Sequence, residues 1–251
     1  MNMYLHIIGS GAGGSPGSKR WRSANLVEAN GLLVLVDCGV GCHYRLSDRG
    51  LLTDIDYVLV THSHMDHFLG LPEALFQAHI EGRNKAITIF APRVVEEVIK
   101  VAAPQVLKNI RYTVNIKRIE PGLLIDLQGL KVKTSTACHN TAEEAYAFRL
   151  EADVDVLFTG DTSPRCEPIE RLGSGVDVLV HEATCNEQYG DICARYAHTT
   201  TLQAMAEADV MMAETLVLTH IDEKFNPTVY VDVKKSGRPA IIAEDNMILR
   251  F

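Results

Sequence analysis

Apolar residues along this chain come in short runs, with few long helical stripes. Tyr57-Val58-Leu59-Val60 is such a run, continuous and rich in β-formers. Strands covered on both faces lose the polar alternation of half-exposed ones, so it reads as a buried strand. Similar runs predict strands over 3–8, 24–28, 32–36, 86–90, 114–119, 146–151, 154–159, 176–180, 216–220 and 247–251, with a further apolar segment at 240–243. Residues 130–136 alternate as a half-exposed strand does. Ala29-Asn30-Gly31 reads as the turn joining 24–28 to 32–36.

Helices are fewer. Apolar residues recur at helical spacing over 94–103. A helix is expected from Gly70 to about Ile80, with Pro72 in the first turn, where proline is tolerated. Another is expected over 201–207, extensible to 212, and the stretch from Gly41 to Leu46 can begin one. Strands interleaved with a few helices, without strict alternation, favour a layered α/β sandwich with sheets inside and helices outside. No repeat, low-complexity tract or linker interrupts residues 1–251, so one domain is expected.

Chemistry gathers where strands end. The run at 57–60 leads directly into Thr61-His62-Ser63-His64-Met65-Asp66-His67. Imidazole and carboxylate at that density suit a borderline cation such as zinc. Without a cation, such a cluster would leave costly desolvated polar groups. Later strands deliver His139, Asp161, Glu182 and His220 at their tips, and these can meet along one edge if the strands are neighbours. Asp37, ending 32–36, is either an outer partner of a metal-bound histidine or a turn cap.

Composition narrows the field. A hydrophobic content of 47% with 22% charged residues is that of an ordinary globular protein. A formal charge of −8 argues against generic binding to nucleic acid or anionic membrane. No membrane-length apolar stretch and no secretion signal is read, so a soluble cytoplasmic protein is expected, with no membrane partner and with a homodimer as its assembly. Six cysteines without a Cys-X-X-Cys pair read as reduced, mostly buried thiols. The stretch from Gly9 to Gly17 only superficially resembles a dinucleotide fingerprint, because Pro16 and Gly17 stand where a helix would have to start. It is expected as a flexible loop beside the active site, continuing through Lys19, Arg20, Trp21 and Arg22.

Taken in order, His62-Ser63-His64-Met65-Asp66-His67, His139, Gly160-Asp161-Thr162 and Thr219-His220 resemble the metallo-β-lactamase superfamily over nearly the whole chain. Asp37-Cys38-Gly39-Val40-Gly41, Gly70-Leu71-Pro72, Gly82-Arg83, Ala91-Pro92, His181-Glu182-Ala183-Thr184 and His198-Thr199-Thr200 are most similar to its ribonuclease Z branch of phosphodiesterases. One departure stands out. Members that process tRNA carry a protruding arm between the equivalents of His139 and Asp161, and here only 21 residues separate those positions.

The resemblance implies a four-layer αβ/βα sandwich and two Zn2+ per chain, with Mn2+ or Fe2+ as substitutes. His62, His64 and His139 would bind one ion, Asp66, His67 and His220 the other, and Asp161 would bridge them. It implies a metal-dependent hydrolase, attacking a phosphodiester with a metal-bound hydroxide. Asp66 would orient or deprotonate the water, and His198, held by Glu182, would protonate the leaving group. The substrate would be an RNA 3′ end, a cyclic nucleotide or another small diester, and the missing arm tilts the choice to the smaller ones. The alternative is hydrolysis of other esters (a phosphotriester, aryl sulfate or lactone) on the same centre. His6, His43, His79 and His181 are expected to be structural.

Overall fold

The apolar run at 57–60 divides between two cores. Leu59 packs with Val34, Val36, Phe148 and Val180, whereas Val58 and Val60 pack with Leu35, Leu46, Leu71 and Ile89. Both faces of the strand are covered, which explains its lack of polar alternation. The computed structural model describes residues 3–102 and 108–251. Strands β1 (Tyr4–Gly9), β2 (Ala24–Ala29), β3 (Leu32–Val36), β4 (Tyr57–Leu59), β5 (Ile87–Ala91) and β6 (Val114–Arg118) form the first sheet. The second holds β7 (Leu124–Leu127), β8 (Leu130–Thr136), β9 (Tyr146–Glu151), β10 (Val156–Phe158), β11 (Val178–Glu182), β12 (Thr215–Thr219) and β13 (Ile241–Ile242). The last strand, β14 (Ile248–Arg250), returns to pair with β1.

One core lies between the sheets and two lie outside them. Helices α1 (Cys42–Asp48), α2 (Met65–Phe68), α3 (Leu71–Ile80) and α4 (Arg93–Ala102) cover the first sheet through Leu46, Phe68, Leu75 and Val95. On the second sheet α5 (Glu167–Gly173), α7 (Thr201–Val210) and α8 (Val229–Ser236) pack through Ile169, Met205 and Val229, while α6 (Gly190–Arg195) lies before the loop carrying His198. The chain is therefore the expected four-layer αβ/βα sandwich, with sheets inside and helices outside. Thr200 opens α7 with a capping box, accepting from the Gln203 N–H while the Gln203 side chain accepts from its own.

Strand direction aligns the tips. Strands β3 to β6 run parallel to one another, as do β10 to β13. Strand β9 is antiparallel to both β8 and β10, so those two also share a direction. The segments after β8, β10, β11 and β12 thus leave the same edge. There the sheets meet: the Tyr146 N–H donates to the Thr61 carbonyl at 2.9 Å, and His62 bridges Ala145.

Some boundaries differ from expectation. The strand expected over 154–159 contracts to Val156–Phe158, and that at 176–180 shifts to Val178–Glu182. The helix expected at 94–103 starts at Arg93, and its expected end at Ala103 lies outside the described residues. All six cysteines, expected as reduced thiols, are instead paired: Cys38–Cys42, Cys138–Cys166 and Cys185–Cys193. The pairs stand 4, 28 and 8 residues apart, so no Cys-X-X-Cys signal announces them. No helix among the described residues is long and apolar enough to cross a membrane.

Candidate metal centre

Every metal-capable residue expected from the strand tips reaches one place. His62 Nε2 and His139 Nε2 each lie 3.1 Å from His64 Nδ1, and Asp161 Oδ2 is 3.4 Å from His62 and 3.9 Å from His139. Beside this set, His67 Nε2 and His220 Nε2 are 3.1 Å apart, with Asp66 Oδ2 at 3.6 and 3.2 Å from them. Asp161 lies between the sets, its Oδ2 3.3 Å from His67 and its Oδ1 3.4 Å from His220. Ligands 2.0–2.2 Å from a tetrahedral zinc are separated by about 3.3–3.6 Å. The donors lie 3.1–3.9 Å apart, a range that brackets that spacing. Moreover, Asp161 is buried and its Oδ1 accepts no hydrogen bond among the described residues, which a cation would remedy. The residues fit a metal.

The remaining imidazole nitrogens are held from outside, as ligands need to be. His67 Nδ1 donates to Asp37 Oδ2 at 2.7 Å. The Thr61 hydroxyl donates to Asp37 at 2.9 Å and accepts from His62 Nδ1 at 3.0 Å. His139 Nδ1 donates to the Ala197 carbonyl at 2.9 Å, and His64 Nε2 to that of Thr141 at 3.3 Å. Thr184 accepts from His220 Nδ1 at 2.9 Å and donates to Glu182 Oε2 at 2.6 Å. Asp37, for which two roles were open, contacts His67 and the Thr61 backbone from a left-handed residue (φ 63°). Thr61, Thr141, Thr184 and the Ala197 carbonyl carry no signature in the sequence as histidine partners, because any hydroxyl or carbonyl in range can serve.

Charge is finely divided among these groups. Burial, reinforced by the neighbouring His67, pushes the His62 imidazole down to about 3, keeping it in the neutral form that ligates. Burial alone would also lower His67, but Asp161, Asp37 and Asp66 outweigh it and raise it well above 6.5. A cation binding there would displace that proton. Burial disfavours charge on Asp161 and Asp66 as well, yet the surrounding imidazoles hold both carboxylates below their ordinary range.

The Glu182–His198 pair stands next to this cluster. Glu182 is buried, and its Oε1 accepts from His198 Nδ1 at 3.0 Å and from the Thr162 N–H at 2.9 Å. Desolvation works against charge on His198, but Glu182 and then Asp161 overcome it and hold its pKa up to about 9. His198 Nδ1 is 3.9 Å from Asp161 Oδ2. His181, by contrast, is buried and bonds the Glu182 carbonyl through Nδ1.

A cavity of about 710 Å3 opens over the centre, lined in part by His64, Asp66, Asp161, His198 and His220. The glycine-rich loop forms part of its wall through Ala12, Gly13 and Gly14. That loop is tied down: Ser15 donates to Asp222 at 2.6 Å, and the Gly11 N–H to the Trp21 carbonyl at 2.8 Å. Gly13 is required where it stands, since a Cβ there would lie 2.5 Å from Asp66 Cγ.

The likeness read from the motifs is borne out by known proteins. A ribonuclease Z of Shouchella clausii is 28% identical, with 99% of this chain and 97% of that protein aligned over 307 positions. That span exceeds the 251 residues here, so the relative carries stretches with no counterpart in this chain. Among solved structures, the metallo-β-lactamase-fold protein YhfI of Bacillus subtilis superposes with a TM-score of 0.84 at 20% identity, each chain fully covered. The short form of human tRNase Z gives 0.82 at 23% identity, with 98% of each chain covered. The family model described as Anti-Pycsar protein Apyc1 matches residues 3–246, nearly end to end, and the chain belongs to that family.

Proposed function

We propose that this protein is a dinuclear zinc phosphodiesterase acting on a small diester such as a cyclic nucleotide. Fold, family and donor set make it a metal-dependent hydrolase. His62, His64 and His139 would hold one ion and Asp66, His67 and His220 the second, with Asp161 shared; manganese and iron(II) are the alternative metals. Two such ions supply Lewis acidity and bring the pKa of water toward neutrality. The chain's own groups do the rest. Asp66, which lines the cavity, would orient the attacking water or accept its proton. His198 carries a proton at neutral pH, and its Nε2 delivers it to the departing oxygen while Glu182 stabilises the imidazolium.

The observation that carries this reading is the Glu182–His198 contact beside Asp161. A poor alkoxide leaving group needs such an acid, and a good one does not, which favours phosphodiesters over aryl phosphotriesters and aryl sulfates among the alternatives. The ribonuclease Z relatives support the same bond type. RNA is the less favoured substrate: between His139 and Asp161 the chain holds the β9–β10 pair and no other strand or helix, and its charge is −8. The whole chain is proposed as one domain, since both sheets would contribute ligands, and a homodimer as its assembly. A cytoplasmic setting would require the disulfides to survive reduction; all but Cys138 are buried.

Turnover by the zinc-loaded protein of bis-p-nitrophenyl phosphate, paraoxon, a cyclic nucleotide and a 3′-extended pre-tRNA tests the reading. Diester and cyclic-nucleotide hydrolysis without tRNA cleavage is expected. Faster turnover of paraoxon than of any diester would overturn the substrate class.

A further inference from the structure

The cavity over the centre has more apolar rim than a bare phosphate and sugar would use. Val40 is 51% exposed, Met65 69% and Tyr196 54%, and all three line the cavity with part of Phe225. At about 710 Å3 its volume is that of a small-molecule site. Two cations line it. Arg22 is engaged, donating to the Ala12 carbonyl, whereas Arg195 is exposed and meets no carboxylate among the described residues.

Tyr196 has its backbone held in place beside the candidate acid. It follows the last residue of α6, and the Tyr196 N–H donates to the Ile192 carbonyl at 3.2 Å. The next residue, Ala197, is left-handed (φ 58°) and supplies the carbonyl that orients His139. His198 follows, its N–H bonded to the Cys193 carbonyl at 2.9 Å, and the Cys185–Cys193 disulfide anchors that turn. The same tight turn therefore positions a candidate ligand, the candidate acid and the Tyr196 ring. Among the described residues no other ring stacks on Tyr196, and its hydroxyl has no hydrogen-bond partner.

We infer that Tyr196 is the stacking platform for the nucleobase of a nucleoside phosphodiester, with Arg195 donating to acceptors on the base. An aromatic ring with an open face beside an unpaired guanidinium matches a heterocycle that has a π-face and an edge of oxygen and nitrogen acceptors. The inference rests on the phosphodiesterase reading and adds the part of the substrate remote from the scissile bond.

The test compares a nucleoside 3′,5′-cyclic phosphate with the same ribose cyclic phosphate lacking its base. The wild-type protein should prefer the base-bearing substrate. Tyr196→Ala should cut that preference about tenfold, mainly through KM, while Tyr196→Phe keeps it. Calorimetric binding of the product nucleoside monophosphate should weaken in parallel in Tyr196→Ala. Hydrolysis of both substrates with their ratio unchanged in Tyr196→Ala overturns this inference alone. A wild-type protein that hydrolyses no phosphodiester overturns the phosphodiesterase reading and this inference with it.

Discussion

His198 Nδ1 lies 3.0 Å from Glu182 Oε1, and the carboxylate it meets is buried with every oxygen hydrogen-bonded. Burial alone would drive proton loss from the imidazole; the carboxylate reverses this and holds its pKa up to about 9. Glu182→Gln removes that charge while keeping the shape. Activity that needs protonated His198 is lost in the wild type as pH rises through about 9, so in the variant the same limb should fall at lower pH. Rates measured across pH 6–10 should show that shift, with larger losses on alkyl than on nitrophenyl esters. Equal losses on both would remove His198 from the acid role. Stability follows the same sign: a raised folded-state pKa stabilises fully below the ordinary 6.5 and fades as pH climbs through about 9. Glu182→Gln should therefore cost most stability on the acid side of that window.

Asp37 reaches the centre directly through His67, and at one remove through the Thr61 hydroxyl that holds His62. Asp37→Asn keeps a polar group of similar size but removes the carboxylate that makes the imidazole more basic. Zinc affinity, measured by competition against a chelator, should weaken by about tenfold to a hundredfold. Unchanged affinity would leave Asp37 with only its turn and its bond to the Thr61 N–H.

Much of this was legible in residue order, for reasons that particular residues make plain. A covered parallel strand such as β4 is written as unbroken apolar sequence, and a donor at its tip needs only the chain to stop there. His62, His139, Asp161 and His220 could be found that way. Glu182 was visible for the same reason, although its strand proved to end on it. Strand β7 carries no clear sequence signal, because Leu124-Ile125-Asp126-Leu127 alternates over too few residues to stand out. Helices α5 and α8 are equally faint in the sequence; their apolar contacts, through Ile169 and Val229, form only on the folded second sheet. The disulfides were illegible because a pair 28 residues apart depends on where α5 docks. The hydroxyls and carbonyls that orient the histidines are named by geometry alone.

Gly13 tests how tightly the glycine-rich loop is fitted to the centre. A methyl group there would fall 2.5 Å from Asp66 Cγ and 2.6 Å from Oδ2, so the loop or the carboxylate must move. Displacing a catalytic group by about 1 Å can cost on the order of a hundredfold in rate. Gly13→Ala should lose activity on that scale while its unfolding midpoint changes little, since Gly13 lies in a loop on the cavity wall. A parallel collapse of stability would show instead that the loop holds the fold together.

The Cys138–Cys166 bond joins the segment carrying His139 to the start of α5. Closing a loop of that length is worth about 3–4 kcal/mol through the unfolded chain in the entropy model. Cys138→Ser with Cys166→Ser should lower the free energy of unfolding by that order in urea titrations. Cys138 also donates its N–H to Thr162 and accepts from the Ser163 N–H, so the backbone beside His139 stays tethered without the sulfurs. The double variant should therefore retain turnover under conditions where it remains folded. A hundredfold loss of turnover in a folded, zinc-loaded double variant would instead assign the disulfide to positioning His139.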